Sequence, residues 1–165
     1  MAKVRLETTL GAIVIELNEE KAPISCANFL EYVDAKHYDG TLFHRVIDGF
    51  MIQGGGYDKD LKKKATRPPI ENEAKNGLLN ERGSVSMART SDISSATSQF
   101  FVNVVDNAFL NHKNDSEFGY AVFARVVEGM DIFDKIKGVS TGAKGQFTKD
   151  CPVEDVEIVS VTRLE

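Results

Sequence analysis

Eight short apolar runs and only two stretches of helical spacing constrain this chain more than any other feature. Val4, Leu6 and Thr8 alternate with Arg5, Glu7 and Thr9; beyond a turn near Leu10–Gly11, Ile13, Ile15 and Leu17 alternate with Val14, Glu16 and Asn18. Alternation of period two on both sides of a short turn predicts a β-hairpin. Six further runs, at about 41–47, 49–53, 84–88, 99–105, 120–127 and 155–162, have the length of strands. Helical spacing is confined to two places. Ala22, Cys26, Phe29, Leu30 and Val33 line one face of a segment with Pro23 in its first turn; Ile132, Phe133 and Ile136 line Met130–Lys137, which Gly138 stops. Parallel strands need crossover connections, usually helices, and two helices are too few to supply them. The expected fold class is therefore mainly β: a closed eight-stranded antiparallel β-barrel capped by two α-helices. In the last run the apolar phase switches from Val156 and Ile158 to Val159 and Val161, which predicts a bulge or a strand buried on both faces.

At 165 residues the chain fits one domain, 1–165, on a prior of about 150 residues per domain. Its 20 Lys+Arg against 25 Asp+Glu leave a net charge of −5. That sign opposes binding to nucleic acid or to an anionic membrane, and neither is expected as a partner. No run is long and apolar enough to cross a bilayer. Met1–Thr8 has polar residues at every second position and no apolar h-region, so a cytoplasmic location is expected. Cys26 and Cys151, far apart in the chain, suit no disulfide framework; Cys26 is expected to be a small buried apolar residue. Lys59–Arg82, with Pro68-Pro69 and Asn76-Gly77, lacks periodicity and is expected to be a long loop packed on the body or serving function. No long apolar stripe is left over, and a monomer is expected.

Conventional catalytic signatures are absent. His37, His44 and His112 do not have zinc-ligand spacing, and no metal is expected. There is no GxSxG elbow. Gly54-Gly55-Gly56 fails the dinucleotide fingerprint because Lys59 stands where its last glycine belongs. The run from Gly138 to Gly145 misses the phosphate-loop spacing by one residue and is followed by no helical pattern. Lys62-Lys63-Lys64 reads as a solvated loop. No cofactor is implied.

Three segments remain unusual. In residues 38–54, Arg45 and Gln53 interrupt apolar runs; Ser86-Met-Ala-Arg-Thr90 is the second; in Ser98-Gln-Phe-Phe-Val-Asn103 polar Gln99 precedes two aromatics. Taken alone, Phe50, Met51, Phe100, Phe101, Phe109 and Leu110 would read as core, and Arg45 as a solvated strand residue. Together the motifs closely resemble those of the cyclophilins, a family of peptidyl-prolyl cis–trans isomerases. The resemblance is carried by Phe43-His44-Arg45, Gly49-Phe50-Met51-Ile52-Gln53-Gly54 and Ser98-Gln99-Phe100-Phe101, and it extends from the first hairpin to the last strand. Ala88-Arg89-Thr90 is similar to the bacterial cytosolic branch. The resemblance implies a barrel capped by two helices, catalysis of rotation about Xaa-Pro bonds in proline-containing polypeptides, and a part in protein folding.

Carried over residue by residue, the resemblance makes Arg45 the catalytic side chain. It places Phe50, Met51, Phe101 and Leu110 around the substrate proline, gives Gln53 the substrate backbone and Gln99 the support of the groove, and makes the main chain of Ala88, Arg89 and Thr90 its rim. Three positions depart from the commoner eukaryotic pattern. Arg89 replaces an Asn that acts through its backbone. Phe109 replaces a Trp, which is expected to weaken the binding of cyclosporin-like ligands. Tyr120 replaces a His and is assigned to the pocket wall. Because neighbouring residues of a strand face opposite ways, one of Phe100 and Phe101 must be core and the other groove. His44 is expected to be a hydrogen-bonded structural residue. Two other functions compete: a proline-peptide-binding module or holdase with incidental isomerase activity, and a hydrolase built on His44.

Overall fold

The computed structural model describes residues 1–164. Strands β1 (Lys3–Thr8) and β2 (Gly11–Leu17) form the first hairpin, with Val4 against Ile15 and Leu6 against Ile13. All four side chains are buried, as their alternation requires. Helix α1 (Pro23–Asp34) follows, with Pro23 in its first turn, where a missing N–H costs nothing. Its N-terminus has no local side-chain cap. The carboxylate of Glu73 accepts from the N–H groups of Ile24 (3.2 Å) and Ser25 (2.6 Å) instead. The long 59–82 segment is thereby tied to α1, and its charge lies at the positive end of the helix. Lys64 Nζ on His37 O, Arg67 N on Tyr32 Oη and Asn76 Nδ2 on Val122 O fasten the rest. This loop packs on the body, as expected of its length.

The 41–47 run forms two strands rather than one. β3 (Thr41–Leu42) pairs with β11 (Glu157–Leu164), whereas β4 (Arg45–Ile47) pairs with β5 (Met51–Gly54). With β6 (Ser84–Met87), β7 (Phe100–Asn103) and β8 (Val122–Glu128), they build a nine-stranded sheet in the order β3-β11-β1-β2-β8-β6-β7-β5-β4. All its pairings are antiparallel. The sheet curls through 299° and its two edge strands do not pair. Closure by eight hydrogen-bonded strands is thus corrected to an open curl whose edges are joined covalently through Phe43 and His44. The reason is local: the chain bends there and exchanges one strand neighbour for another, which apolar spacing does not reveal.

Helix α1 sends Phe29 onto Phe100 and Phe123 inside the curl, and α2 (Met130–Lys137) sends Phe133 onto Phe43. The phase switch in β11 is a bulge: Glu7 pairs with Ser160 and Thr8 with Ile158, leaving Val159 unpaired and 49% exposed. One hairpin escapes the apolar pattern altogether. β9 (Thr141–Lys144) and β10 (Phe147–Pro152) pair across Gly145-Gln146, where the phosphate-loop comparison fails. They hold few apolar residues, so periodicity is silent there. Two 3-10 turns, Ala74–Asn76 and Ala108–Leu110, complete the chain. No helix among the described residues is long and apolar enough to cross a membrane.

Candidate active site

The register of three strands sorts the motif residues onto two faces. Arg45 pairs with Gln53 and Gln53 with Phe101; Ile47 pairs with Met51; Val46 pairs with Ile52 and Ile52 with Val102. Directly paired residues share a face, and their sequence neighbours take the other. Val46, Ile52, Val102 and Phe100 accordingly join the main core inside the curl. Met51 and Phe101 join Ala88 and Leu110 in a second apolar cluster outside it, edged by Ile47, Phe50 and Tyr120. Of the two adjacent phenylalanines, Phe100 is core, packed edge-on against Phe29, Tyr38 and Phe43, and Phe101 belongs to the outer cluster.

A hollow of about 140 Å³ opens over this outer cluster, lined by Arg45, Phe50, Gln53, Ala88, Arg89, Phe101, Leu110 and Tyr120. It is well below the roughly 300–1,000 Å³ of drug-sized sites, and suits a single small ring or side chain. Met51, 2% exposed, packs within the cluster beneath it. Arg45 is exposed, and its Nη1 points to Oε1 of Gln53 at 3.5 Å. Gln53 Nε2 donates to Gln99 Oε1 at 2.9 Å. Gln99 fits only because position 56 is glycine: a Cβ there would lie 2.5 Å from Gln99 Cγ. The triple glycine thus serves close packing rather than a nucleotide.

The rim differs from the expectation of main chain alone. The N–H of Ala88 donates to Gln99 O and that of Thr90 to Ser95 Oγ, so both are already engaged. The N–H and C=O of Arg89 carry no hydrogen bond among the described residues. Its side chain, expected to matter little, is part of the wall. The guanidinium lies 4.5 Å from the Tyr120 ring centre, with Nε on Gly119 O at 3.2 Å and Nη1 on Thr90 O at 2.9 Å. Tyr120 in turn meets Phe101 edge-on at 5.7 Å. Phe109, 64% exposed, stands outside the lining and stacks on Phe50 at 5.6 Å.

His44 lies away from the hollow, between the rings of Tyr57 and Phe147 at 4.6 and 5.2 Å. Burial, and secondarily the charge of Arg45, lower its pKa to about 4. Its Nδ1 is buried without a partner, so the expected hydrogen bond is replaced by ring packing. The charge that acts on His44 is that of Arg45 and no carboxylate raises its pKa, which leaves a hydrolase built on His44 without an acidic partner.

Sequence reasoning missed a buried amide network behind the hollow. Asn80 Oδ1 accepts from Ser86 Oγ (2.6 Å) and Asn103 Nδ2 (3.1 Å), while Asn80 Nδ2 donates to the carbonyls of Leu110 (3.2 Å) and Tyr120 (3.3 Å). Asn107 bridges Asn103 Oδ1 and Phe50 O. These contacts hold the 104–121 segment, which brings Leu110 and Tyr120, onto the strand that bears Phe101. The only sequence signal is polar Asn103 and Asn107 beside an apolar strand. A larger crevice of about 350 Å³ between Leu78, Leu79 and the Glu16–Arg125 pair takes none of the motif residues.

Architecture and site together describe a strongly curled antiparallel half-barrel with its apolar hollow and guanidinium on the outer face of the sheet. The chain belongs to the cyclophilin-type peptidyl-prolyl cis-trans isomerase family, whose model matches residues 3–163. It is 56% identical over 166 residues to the peptidyl-prolyl cis-trans isomerase cyp18 of Streptomyces antibioticus, covering 99% of both chains. To the peptidyl-prolyl cis-trans isomerase B of Escherichia coli it is 56% identical over 164 residues, covering 98% of this chain and 99% of the other. The fold is shared with a Cryptosporidium parvum cyclophilin-type isomerase crystallised in the presence of the dipeptide Ala-Pro (TM-score 0.79, 24% identity, 99% of both chains). The protein is accordingly a peptidyl-prolyl cis-trans isomerase.

Proposed function

We propose that Arg45 is the catalytic side chain and that the 140 Å³ hollow takes the proline ring of a substrate polypeptide. Amide resonance resists rotation by about 18–20 kcal/mol. Halfway through the turn that resonance is lost, and the proline nitrogen becomes pyramidal with a free lone pair. A donor aimed at this nitrogen interacts more strongly with it than in either planar ground state, which is differential transition-state binding. A guanidinium is charged at every working pH and offers donors in a rigid fork. Phe50, Met51, Phe101 and Leu110 fix the ring while the preceding carbonyl swings, and their low polarity strengthens the field of Arg45. Gln53 orients the guanidinium and meets substrate backbone, Gln99 supports Gln53, and the free N–H and C=O of Arg89 give the rim its main-chain contacts. An acceleration of about 10⁵ needs about 7 kcal/mol. One well-placed donor supplies roughly 3 kcal/mol of it, and positioning and exclusion of water supply the rest. The cis/trans equilibrium is unchanged.

The observation that carries this reading is an arginine with no carboxylate partner among the described residues, sharing its hollow with three apolar side chains of the outer cluster. The same reading takes residues 1–165 as one domain, with the bent 41–47 segment serving as the eighth stave of the barrel. Phe109, exposed at the edge, offers cyclosporin-like ligands a weaker hold than an indole would. The test is an exchange assay on a short Xaa-Pro peptide. Arg45→Ala is expected to lower kcat/KM at least tenfold with an unchanged circular dichroism spectrum, and unchanged turnover removes Arg45 from the mechanism.

A further inference from the structure

The hollow contains two guanidinium groups and no carboxylate. Arg45 lines one part of the wall and Arg89 another, and neither forms an ion pair among the described residues. Arg89 is also placed, not merely present. Tyr120 supports the plane of its guanidinium, and the carbonyls of Gly119 and Thr90 take Nε and Nη1. That arrangement leaves Nη2 with no partner among the described residues. Glu71 shares a separate small crevice with Arg89 but forms no ion pair with it. A chain with a net charge of −5 therefore concentrates positive charge where substrate would lie.

We propose that Arg89 is a specificity-determining residue that favours substrates with a carboxylate side chain beside the proline. This rests on the reading of the hollow as the proline site. The guanidinium is held in advance by Tyr120 and two carbonyls, so little side-chain freedom remains to be lost when a carboxylate docks. Nη2 supplies a charge-assisted hydrogen bond. Arg45 is assigned to the turning amide, and its attraction for a neighbouring carboxylate acts through solvent that screens it, so it adds little to the Glu/Gln ratio. The interaction is only partly shielded from water, and the expected preference for Glu over Gln is roughly three- to tenfold in kcat/KM. It shrinks as salt screens the pair.

The experiment measures kcat/KM for tetrapeptides with Glu, Gln or Lys immediately before the proline, and for a second set with the same residues immediately after it. Wild type is expected to rank Glu above Gln above Lys in one of the sets, with the ratios collapsing toward one in about 0.5 M salt. Arg89→Met keeps a long apolar stem against Tyr120 and removes the charge; in it the Glu/Gln ratio is expected to fall to about one, whatever its activity on the Gln peptides. Arg89→Lys is expected to keep the ranking with a smaller ratio. Equal rates for Glu and Gln in both sets of wild type overturn the proposal, as does a ratio that survives in Arg89→Met. Failure of the underlying site reading looks different: there, Arg45→Ala turns over the Gln peptides as fast as wild type.

Discussion

The side-chain amide of Gln53 is held from both ends: its Nε2 donates to Oε1 of Gln99 at 2.9 Å, and its Oε1 faces Nη1 of Arg45 at 3.5 Å. The first bond fixes which way the amide is turned, and so presents an acceptor rather than a donor to the guanidinium. Gln53→Leu removes that acceptor and is expected to lower kcat/KM about three- to tenfold, the equivalent of one ordinary hydrogen bond. Gln53→Glu is expected to cost more, because a carboxylate ties Arg45 into an ion pair and neutralises it. The peptide exchange assay checks both, and wild-type rates in Gln53→Glu contradict the orienting role.

Gly56 sets the place of Gln99. An added Cβ would meet Gln99 Cγ, Cδ and Nε2 at 2.5, 2.6 and 2.7 Å. The obstacle is the end of a flexible side chain, so Gly56→Ala is expected to fold, with a stability loss of about 1 kcal/mol. Displacing Gln99 frees Gln53, and kcat/KM is expected to fall by a factor similar to that of Gln53→Leu. Urea denaturation beside the assay separates the two effects.

The pH dependence of stability is expected to follow His44. Its folded pKa of about 4 lies below the value of about 6.5 it regains on unfolding. Above pH 6.5 it is neutral in both states and contributes nothing. As pH falls from 6.5 to 4 the unfolded chain takes up a proton that the folded one refuses, and stability declines by up to about 3 kcal/mol. His37, lowered by burial and by Lys64, acts in the same direction. His44→Phe fits the same ring packing and is expected to flatten much of this slope between pH 7 and 4.5. An equal decline in both proteins excludes His44 as its source. Turnover should be flat from pH 6 to 9, because no histidine, carboxylate or thiol lines the hollow.

Asn80, 1% exposed, is the hub of the amide network behind Leu110 and Tyr120. Asn80→Ala leaves Ser86 Oγ and the Tyr120 carbonyl without a partner, while the Leu110 carbonyl keeps the N–H of Tyr120, at an expected cost of about 2–4 kcal/mol. The wall should loosen more than Arg45 moves, so KM is expected to rise more than kcat falls. Thermal melting and steady-state kinetics on one peptide measure both.

The helices, the first hairpin and the β11 bulge were legible because alternation and helical spacing are properties of contiguous chain. The Phe100–Phe101 split was legible for the same reason, as adjacent strand residues must face opposite ways. The site motifs were legible through their likeness to a family. The β9–β10 hairpin was not, since its strands are too polar to show a period. Nor was the placement of Arg89, whose residue type says nothing about the ring it lies on.

Sequence alone thus determined which segments have an apolar face, and its motifs carried the family and the candidate site residues. Tertiary structure alone decided that the 41–47 run exchanges neighbours at Phe43–His44, that Glu73 caps a helix begun some fifty residues earlier, and that Arg89 stands over Tyr120 inside the hollow. The physical reason is range. Apolar periodicity records how each residue faces its own element, whereas these three features depend on contacts between segments distant in the chain, which appear only when the curled sheet brings them together.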